Sequence, residues 1–315
     1  MILLRGHEPS TRGHLLALFG LGLIGRWILE PIASTGQFGL IELDFDWCNP
    51  SKRQGDVAAV SQHLAGLFSG EGRARRTDII WAAGRGGFGA SDNELKAEQG
   101  AFEDVLSLAV HSLENNRSGE HAFHLVSSAG GLFEGQRQVG QLSAVHPRRP
   151  YGDRKLDQEV LLQAAPEAMH KFIYRPSSVY GYSHRGTRRG LVSALIDDAL
   201  RRRPSYIFGS SATVRDYVLA ADVGKFVAAR ILGRGGGSET FLLASGKPTS
   251  TYEILQIVRH AIGRPLHLRF DPRPFNADDI TFLPSALPNG WAATDVETGI
   301  RMTASKMRAS FARAW

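Results

Sequence analysis

An open parallel α/β sheet, wound on both faces by helices, is predicted by three features of this 315-residue sequence. A short apolar run stops abruptly in glycines and passes into a helical pattern. Further apolar runs recur with helical patterns between them, and beyond Pro176 the texture turns to loops rich in Gly, Ser and Arg.

Taken in order, residues 14–19 (HLLALF) read as the first buried strand and residues 23–33 as the helix that follows it. Residues 38–43 form a second apolar run that stops at Asp44, and 78–82, 122–126 and 171–174 are further buried strands. Between them, 91–115 opens with Ser91 three residues before Glu94, the signature of a capping box, and 151–164 carries apolar residues at helical spacing. Later helices are expected at 191–203, 222–232 and 251–262, with Asp222 and Ser250 as N-caps, while 233–238 (GRGGGS) reads as a flexible surface loop. The change of texture after Pro176 predicts a first domain at 13–176 and a smaller lobe after it.

Composition narrows the function classes. The single Cys48 excludes an intrachain disulfide and a multi-cysteine metal site, and no metal is expected. No run of about 18 apolar residues occurs and the start lacks a signal-like apolar region, so a cytoplasmic protein without a membrane span is expected. The net charge of +6 is spread out: Arg73, Arg75 and Arg76 fall in an expected loop, and Arg201, Arg202 and Arg203 close a helix whose dipole favours cations there. Nucleic acid is therefore not the expected partner.

Gly20, Gly22 and Gly25 form G-x-G-x-x-G between the first strand and its helix. The first glycine permits the tight turn, the second lets a pyrophosphate approach the backbone, and the third lets helix and strand pack closely. Leu23 and Ile24 then begin a helix whose free N–H groups favour anions. Asp44, about twenty residues on at the end of the next strand, is placed to accept both ribose hydroxyls, and its charge favours NAD over NADP. Ala82, Ala83 and Gly84 end a later strand with the small residues that a cofactor lying across it requires. Asp56 in Gly55-Asp56-Val57 reads as the N-cap of a following helix.

Tyr151 and Lys155 stand at i and i+4, hence on one side of a helix. A phenol is a poor base at neutral pH, and a neighbouring ammonium favours its ionised form, so Tyr151 suits proton exchange with a hydroxyl during hydride transfer. Ser127 and Ser128 follow the strand at 122–126, at the sheet edge where ligands of open α/β sheets bind.

On these motifs, together with Pro150, Gly152, Leu156 and Glu159, the chain resembles the extended short-chain dehydrogenase/reductases of the NAD-dependent epimerase/dehydratase group, over roughly residues 14 to 300. The resemblance implies a Rossmann-type doubly wound sheet, a catalytic Ser128, Tyr151 and Lys155 with Ser127 as the alternative serine, and a cofactor passing Pro176. It also implies that Arg215 grips the diphosphate of a nucleotide-sugar, that Ser178 faces the sugar phosphate, and that the protein is a homodimer. By the same resemblance 215–245 returns to the first, NAD-binding domain, which leaves 177–214 and 246–315 to the substrate-binding lobe. Phe19 and Trp81 depart from the family pattern, and the stretch between Asp44 and Asp56 is short for a complete third strand.

Ala129 and Gly130 stand where the group's dehydratases carry an Asp-Glu pair, which disfavours water elimination. The expected reaction is 4-epimerisation through a transient keto sugar, with a 4-ketoreductase or dehydrogenase, or a non-catalytic NAD-binding sensor, as the alternatives.

Overall fold

The computed structural model describes residues 1–47, 49–68, 75–84, 89–182, 190–233, 236–271 and 278–312. Cys48 and Arg73 lie outside the described residues, as does part of the GRGGGS stretch.

The first half of the chain runs β1 (Ile2–Gly6), β2 (His14–Phe19), α1 (Leu23–Ser34), β3 (Phe38–Glu42), α2 (Pro50–Phe68), β4 (Arg76–Trp81), α3 (Asp92–Asn115), β5 (Glu120–Val126), α4 (Ala129–Leu132) and α5 (Pro150–Gln163). The rest runs β6 (Met169–Pro176), β7 (Ser178–Tyr180), α6 (Leu191–Leu200), β8 (Ser205–Phe208), β9 (Val214–Leu219), α7 (Ala220–Leu232), β10 (Glu239–Leu243), β11 (Pro248–Ser250), α8 (Thr251–Ile262), β12 (Leu268–Asp271) and α9 (Val296–Ala312).

Two compact units result: residues 1–127, 149–175 and 224–241 form the first, and 128–148, 176–223 and 242–315 the second. The first is built on a seven-stranded sheet in the order β10-β6-β5-β4-β2-β1-β3, with β2, β4, β5 and β6 mutually parallel. Side chains alternate across it as the strand period demands. Leu15, Ala17, Phe19, Ile79, Trp81, Phe123 and Leu125 bury one face against Phe102 and Val105 of α3 and Leu162 of α5. On the opposite face lies a charged network: Asp78, fully buried, accepts from Arg76 Nε at 2.8 Å and meets ring nitrogens of His14 and His124 at 2.7 and 2.8 Å. A buried carboxylate tolerates that position only because every side of it is paired. Burial would raise the Asp78 pKa, yet the hydrogen bonds from His124 and His14 outweigh it and hold the carboxyl well below the usual range.

In this sheet β1 and β10 were not legible in the sequence. β1 runs antiparallel between β2 and β3, pairing Ile2 with Leu18 on one side and with Glu42 on the other. The strand after α1 is thus not the neighbour of β2 in the sheet. The helix α2 also begins at Pro50, so Asp56 is not an N-cap; its carboxylate accepts the Asp46 backbone N–H at 2.7 Å and ties down the loop leaving β3.

The second unit holds a three-stranded sheet, β11-β9-β7, and a two-stranded parallel pair, β12-β8. Ser250 caps α8 with Glu253 in a complete capping box, as Ser91 and Glu94 do for α3. Asp222 lies within the first turn of α7 rather than before it, and its carboxylate instead accepts from the backbone N–H and hydroxyl of Thr294. Arg201 and Arg203 are tied to Asp197 and Asp198 at the end of α6, the solvated helix end that the sequence suggests. Among the described residues no helix is long and apolar enough to cross a membrane.

Candidate active site

The glycine motif turns the chain at the end of β2, and each glycine is required for a different reason. Gly20 has φ of +95°, and a Cβ there would lie 2.4 Å from the Ala83 backbone nitrogen, so the turn rests directly on the end of β4. A Cβ on Gly25 would lie 1.8 Å from the Gly20 carbonyl oxygen, so only glycine lets α1 begin this close to the strand. Gly22 differs: it is the N-cap of α1, makes no side-chain cap, and a Cβ there would meet nothing within 4 Å. The first-turn N–H groups of Leu23 and Ile24 therefore follow a residue whose side-chain space is open, which is the requirement for an anion such as a diphosphate.

Neighbouring strand ends extend this edge of the sheet. Ala82 donates its N–H to the Phe19 carbonyl at 2.8 Å, which fixes Ala82, Ala83 and Gly84 beside the glycine turn. Ser127 follows β5; its backbone N–H is held by the Tyr174 carbonyl, while its buried hydroxyl has no partner among the described residues. An orphaned hydroxyl at a strand end costs about 1–3 kcal/mol unless a ligand completes it. Asp44 is exposed just past β3, but β1 stands between β3 and β2. Two strand spacings, about 9.6 Å, separate its strand from the glycine strand.

Tyr151 and Lys155 lie in the first two turns of α5, which starts with Pro150 at its favoured N-terminal position. The Lys155 ammonium is 6.0 Å from the centre of the Tyr151 ring. It is also buried, 4 % exposed, and donates to Glu98 Oε1 at 2.9 Å and Gln158 Oε1 at 3.0 Å. Burial by itself would lower the lysine pKa; the Glu98 charge, followed by Tyr151, more than offsets this and raises it, so the group is firmly cationic. Glu98 is in turn close to the strand end, since a Cβ on Gly84 would sit 3.1 Å from its Oε1. The succession Gly84, Glu98, Lys155, Tyr151 thus links the Tyr151 ring to the sheet edge where the glycine turn lies. Glu159 on the next turn of α5 is clamped by Arg175 of β6.

Glu98 and Gln158 were not anticipated from the sequence. A signal existed for Glu98: Leu95, Phe102 and Val105 put position 98 on the buried side of α3, where a carboxylate requires a cationic partner.

The remaining expected residues belong to the second unit. Ser128 caps the four-residue helix α4 through Gly131 N–H at 3.1 Å. Pro176 is buried at the end of β6, and Ser178, half-buried, begins β7. Arg215 on β9 is 7 % exposed. Asp216 beside it is spent elsewhere, accepting from the Ser177 hydroxyl and the backbone N–H groups of Ser245 and Gly246. Among the described residues no cluster of three or more His, Cys, Asp or Glu side chains is placed to hold a metal.

Fold and site together define a dinucleotide-type α/β sheet armed with a Tyr-Lys pair. The family model described as the NAD dependent epimerase/dehydratase family matches residues 79–243, and the chain belongs to that family. A UDP-glucose 4-epimerase of Mycolicibacterium smegmatis is 33 % identical over 158 residues, 46 % of this chain and 48 % of the relative. The chain matches about half the length of the curated relatives it resembles. Among solved structures, a UDP-glucose 4-epimerase of Thermotoga maritima with UDP-glucose superposes with a TM-score of 0.73 at 18 % identity, covering 94 % of this chain and 99 % of that one. A UDP-glucuronic acid 4-epimerase of Bacillus cereus with UDP-glucuronic acid and NAD gives 0.72 at 16 % identity, with the same coverage of each chain. These likenesses establish the Rossmann-type architecture, including the parallel core strands that the sequence predicts.

Proposed function

We propose that this protein is an NAD-dependent nucleotide-sugar epimerase that inverts C4 of the hexose through a transient 4-keto sugar. The observation that carries the reading is the Lys155 ammonium buried beside Tyr151 on the helix that borders the glycine-turn edge of the sheet. Family membership and the C4-epimerase relatives support it.

The residues at the sheet edge suit a dinucleotide. Gly20, Gly22 and Gly25 with the α1 N-terminus would hold the diphosphate, Ala82 to Gly84 would admit the flat body of the cofactor, and the Ser127 hydroxyl and Lys155 would meet its nicotinamide end. When bound, the oxidised nicotinamide supplies a hydride acceptor and afterwards gives the hydride back. Tyr151 takes the proton of the C4 hydroxyl and returns it to the oxygen once the other face of the carbon is presented. Lys155 keeps positive charge beside the phenol through both transfers. The family resemblance assigns a hydrogen bond to the sugar to Ser128, and the diphosphate of the nucleotide-sugar to Arg215 and Ser178. In the dimer that goes with this reading, α5 offers the exposed Val160 and Leu161.

The test is turnover of a panel of UDP-, GDP- and dTDP-hexoses. The reading expects a C4 epimer to form without net accumulation of NADH. Stoichiometric NADH would make the protein a dehydrogenase, and binding of NAD with no turnover of any sugar nucleotide would make it a sensor.

A further inference from the structure

Building on the reading above, we propose that Glu98 is a positioning residue of this site, the buried counter-ion that anchors Lys155 and sets how much positive charge Tyr151 experiences. The Tyr-Lys pair is then a Tyr-Lys-Glu unit held between two helices, α3 and α5.

The geometry is specific. The side chains of Lys155 and Glu98 are 5 % and 8 % exposed, and their charged atoms are 2.9 Å apart. Gln158 bridges both, accepting from Lys155 at 3.0 Å and donating to Glu98 at 3.4 Å. With three donors, the ammonium commits two of them to these carbonyl and carboxylate oxygens, which fixes its position one turn below the phenol. Of the other charged groups on α3 and α5, Glu159 is paired with Arg175, Arg154 with Asp157, Asp104 with Arg53, and Glu94 is held in the cap at Ser91, while Asp92, Lys96 and Asp153 also lie on these helices and Glu159 acts on Lys155 more weakly than Glu98 does. Glu98, at 2.9 Å, is the carboxylate in direct contact with the Lys155 ammonium.

Opposition has a sign. A carboxylate beside the ammonium weakens the pull of Lys155 on a phenolate, so neutralising position 98 should make Tyr151 ionise more readily. Conversely, a second carboxylate at position 158 should make ionisation harder. A charge of this kind moves a neighbour's titration by about one pH unit.

The experiment compares Glu98→Gln, Glu98→Asp and Gln158→Glu in the full-length protein, by two readouts. Ultraviolet tyrosinate absorbance is titrated with Tyr151→Phe in each background, so that the difference reports Tyr151 alone and needs neither sugar nor cofactor. The pH profile of kcat/KM is measured alongside. In Glu98→Gln the tyrosinate signal and the acidic limb should move down by about one pH unit. In Gln158→Glu both should move up, and Glu98→Asp should keep the parent profile. No shift or an upward shift in Glu98→Gln overturns the proposal; so does a Gln158→Glu profile that stays in place, which keeps the test decisive if Glu98→Gln fails to fold. Shifts in the absorbance titration with no sugar turnover would refute the proposed reaction and leave the role of Glu98 standing, whereas turnover with unshifted titrations would do the reverse.

Discussion

The three glycines of the turn should respond differently to the same methyl group. Gly22→Ala places its methyl in open space at a residue with φ of −74°, so the folded chain accommodates it without a clash. Loss of N-cap preference costs about 0.5–1 kcal/mol, and the reduced freedom of the unfolded chain returns about 0.4–1, leaving stability within about 1 kcal/mol of the parent. That is a shift of about 3 °C in Tm. The same methyl stands where a diphosphate must approach, and the expected loss of dinucleotide affinity is at least about 10-fold, or roughly 1.4 kcal/mol. Gly25→Ala meets the Gly20 carbonyl at 1.8 Å, so the start of α1 must back away, at a cost of about 1–3 kcal/mol or more. Gly20→Ala combines a left-handed backbone, about 1–2 kcal/mol, with a 2.4 Å approach to Ala83, and should lose about 3 kcal/mol or more. Urea unfolding and dinucleotide titration by tryptophan fluorescence read the two effects separately. If Gly22→Ala unfolded the protein as Gly20→Ala does, or bound the dinucleotide as tightly as the parent, the cradle described here would be wrong.

With β1 interposed between β3 and the glycine strand, Asp44→Asn is expected to change NAD affinity by less than about 3-fold; a 10-fold loss in a binding titration would show that the carboxylate holds the ribose. Asp78→Asn should destabilise the protein by about 3–5 kcal/mol in urea unfolding, since His14, His124 and Arg76 lose their shared anion. The Asp78 pKa is depressed on folding, so its contribution is present above the unfolded value near 3.8 and is lost as pH falls below it. The parent should accordingly lose stability steeply below about pH 4, and the variant should show a flatter profile there; parallel profiles would count against the network.

The parts of this molecule that announce themselves in sequence are those whose chemistry is local. The run 14–19 with its glycines predicted the β2 strand to the residue, and Ser91 with Glu94 predicted the start of α3, because a turn and a cap are made by residues a few positions apart. The strand at 171–174 was found but is longer, Met169–Pro176, since His170, Lys171 and Arg175 interrupt its apolar pattern. β1 was invisible because five residues, Ile2–Gly6, carry no turn signal, and their place between β2 and β3 is decided by tertiary pairing. That one strand is what separates Asp44 from its expected neighbour. The helix expected after Asp56 is α2, which begins earlier, at Pro50, and α9 was missed because its apolar residues are sparse and its polar face looks like loop. In the site, Tyr151 and Lys155 share a helix and were readable from spacing, whereas Glu98 meets them from α3, a separation of 57 residues from Lys155 that no local pattern encodes.

The phenol of Tyr151 is the centre of the proposed chemistry. Tyr151→Phe, assayed with UDP-hexose and NAD, should lose about 10²- to 10⁴-fold in kcat while dinucleotide affinity and Tm stay at the parent values. Turnover at the parent rate in that variant would contradict it.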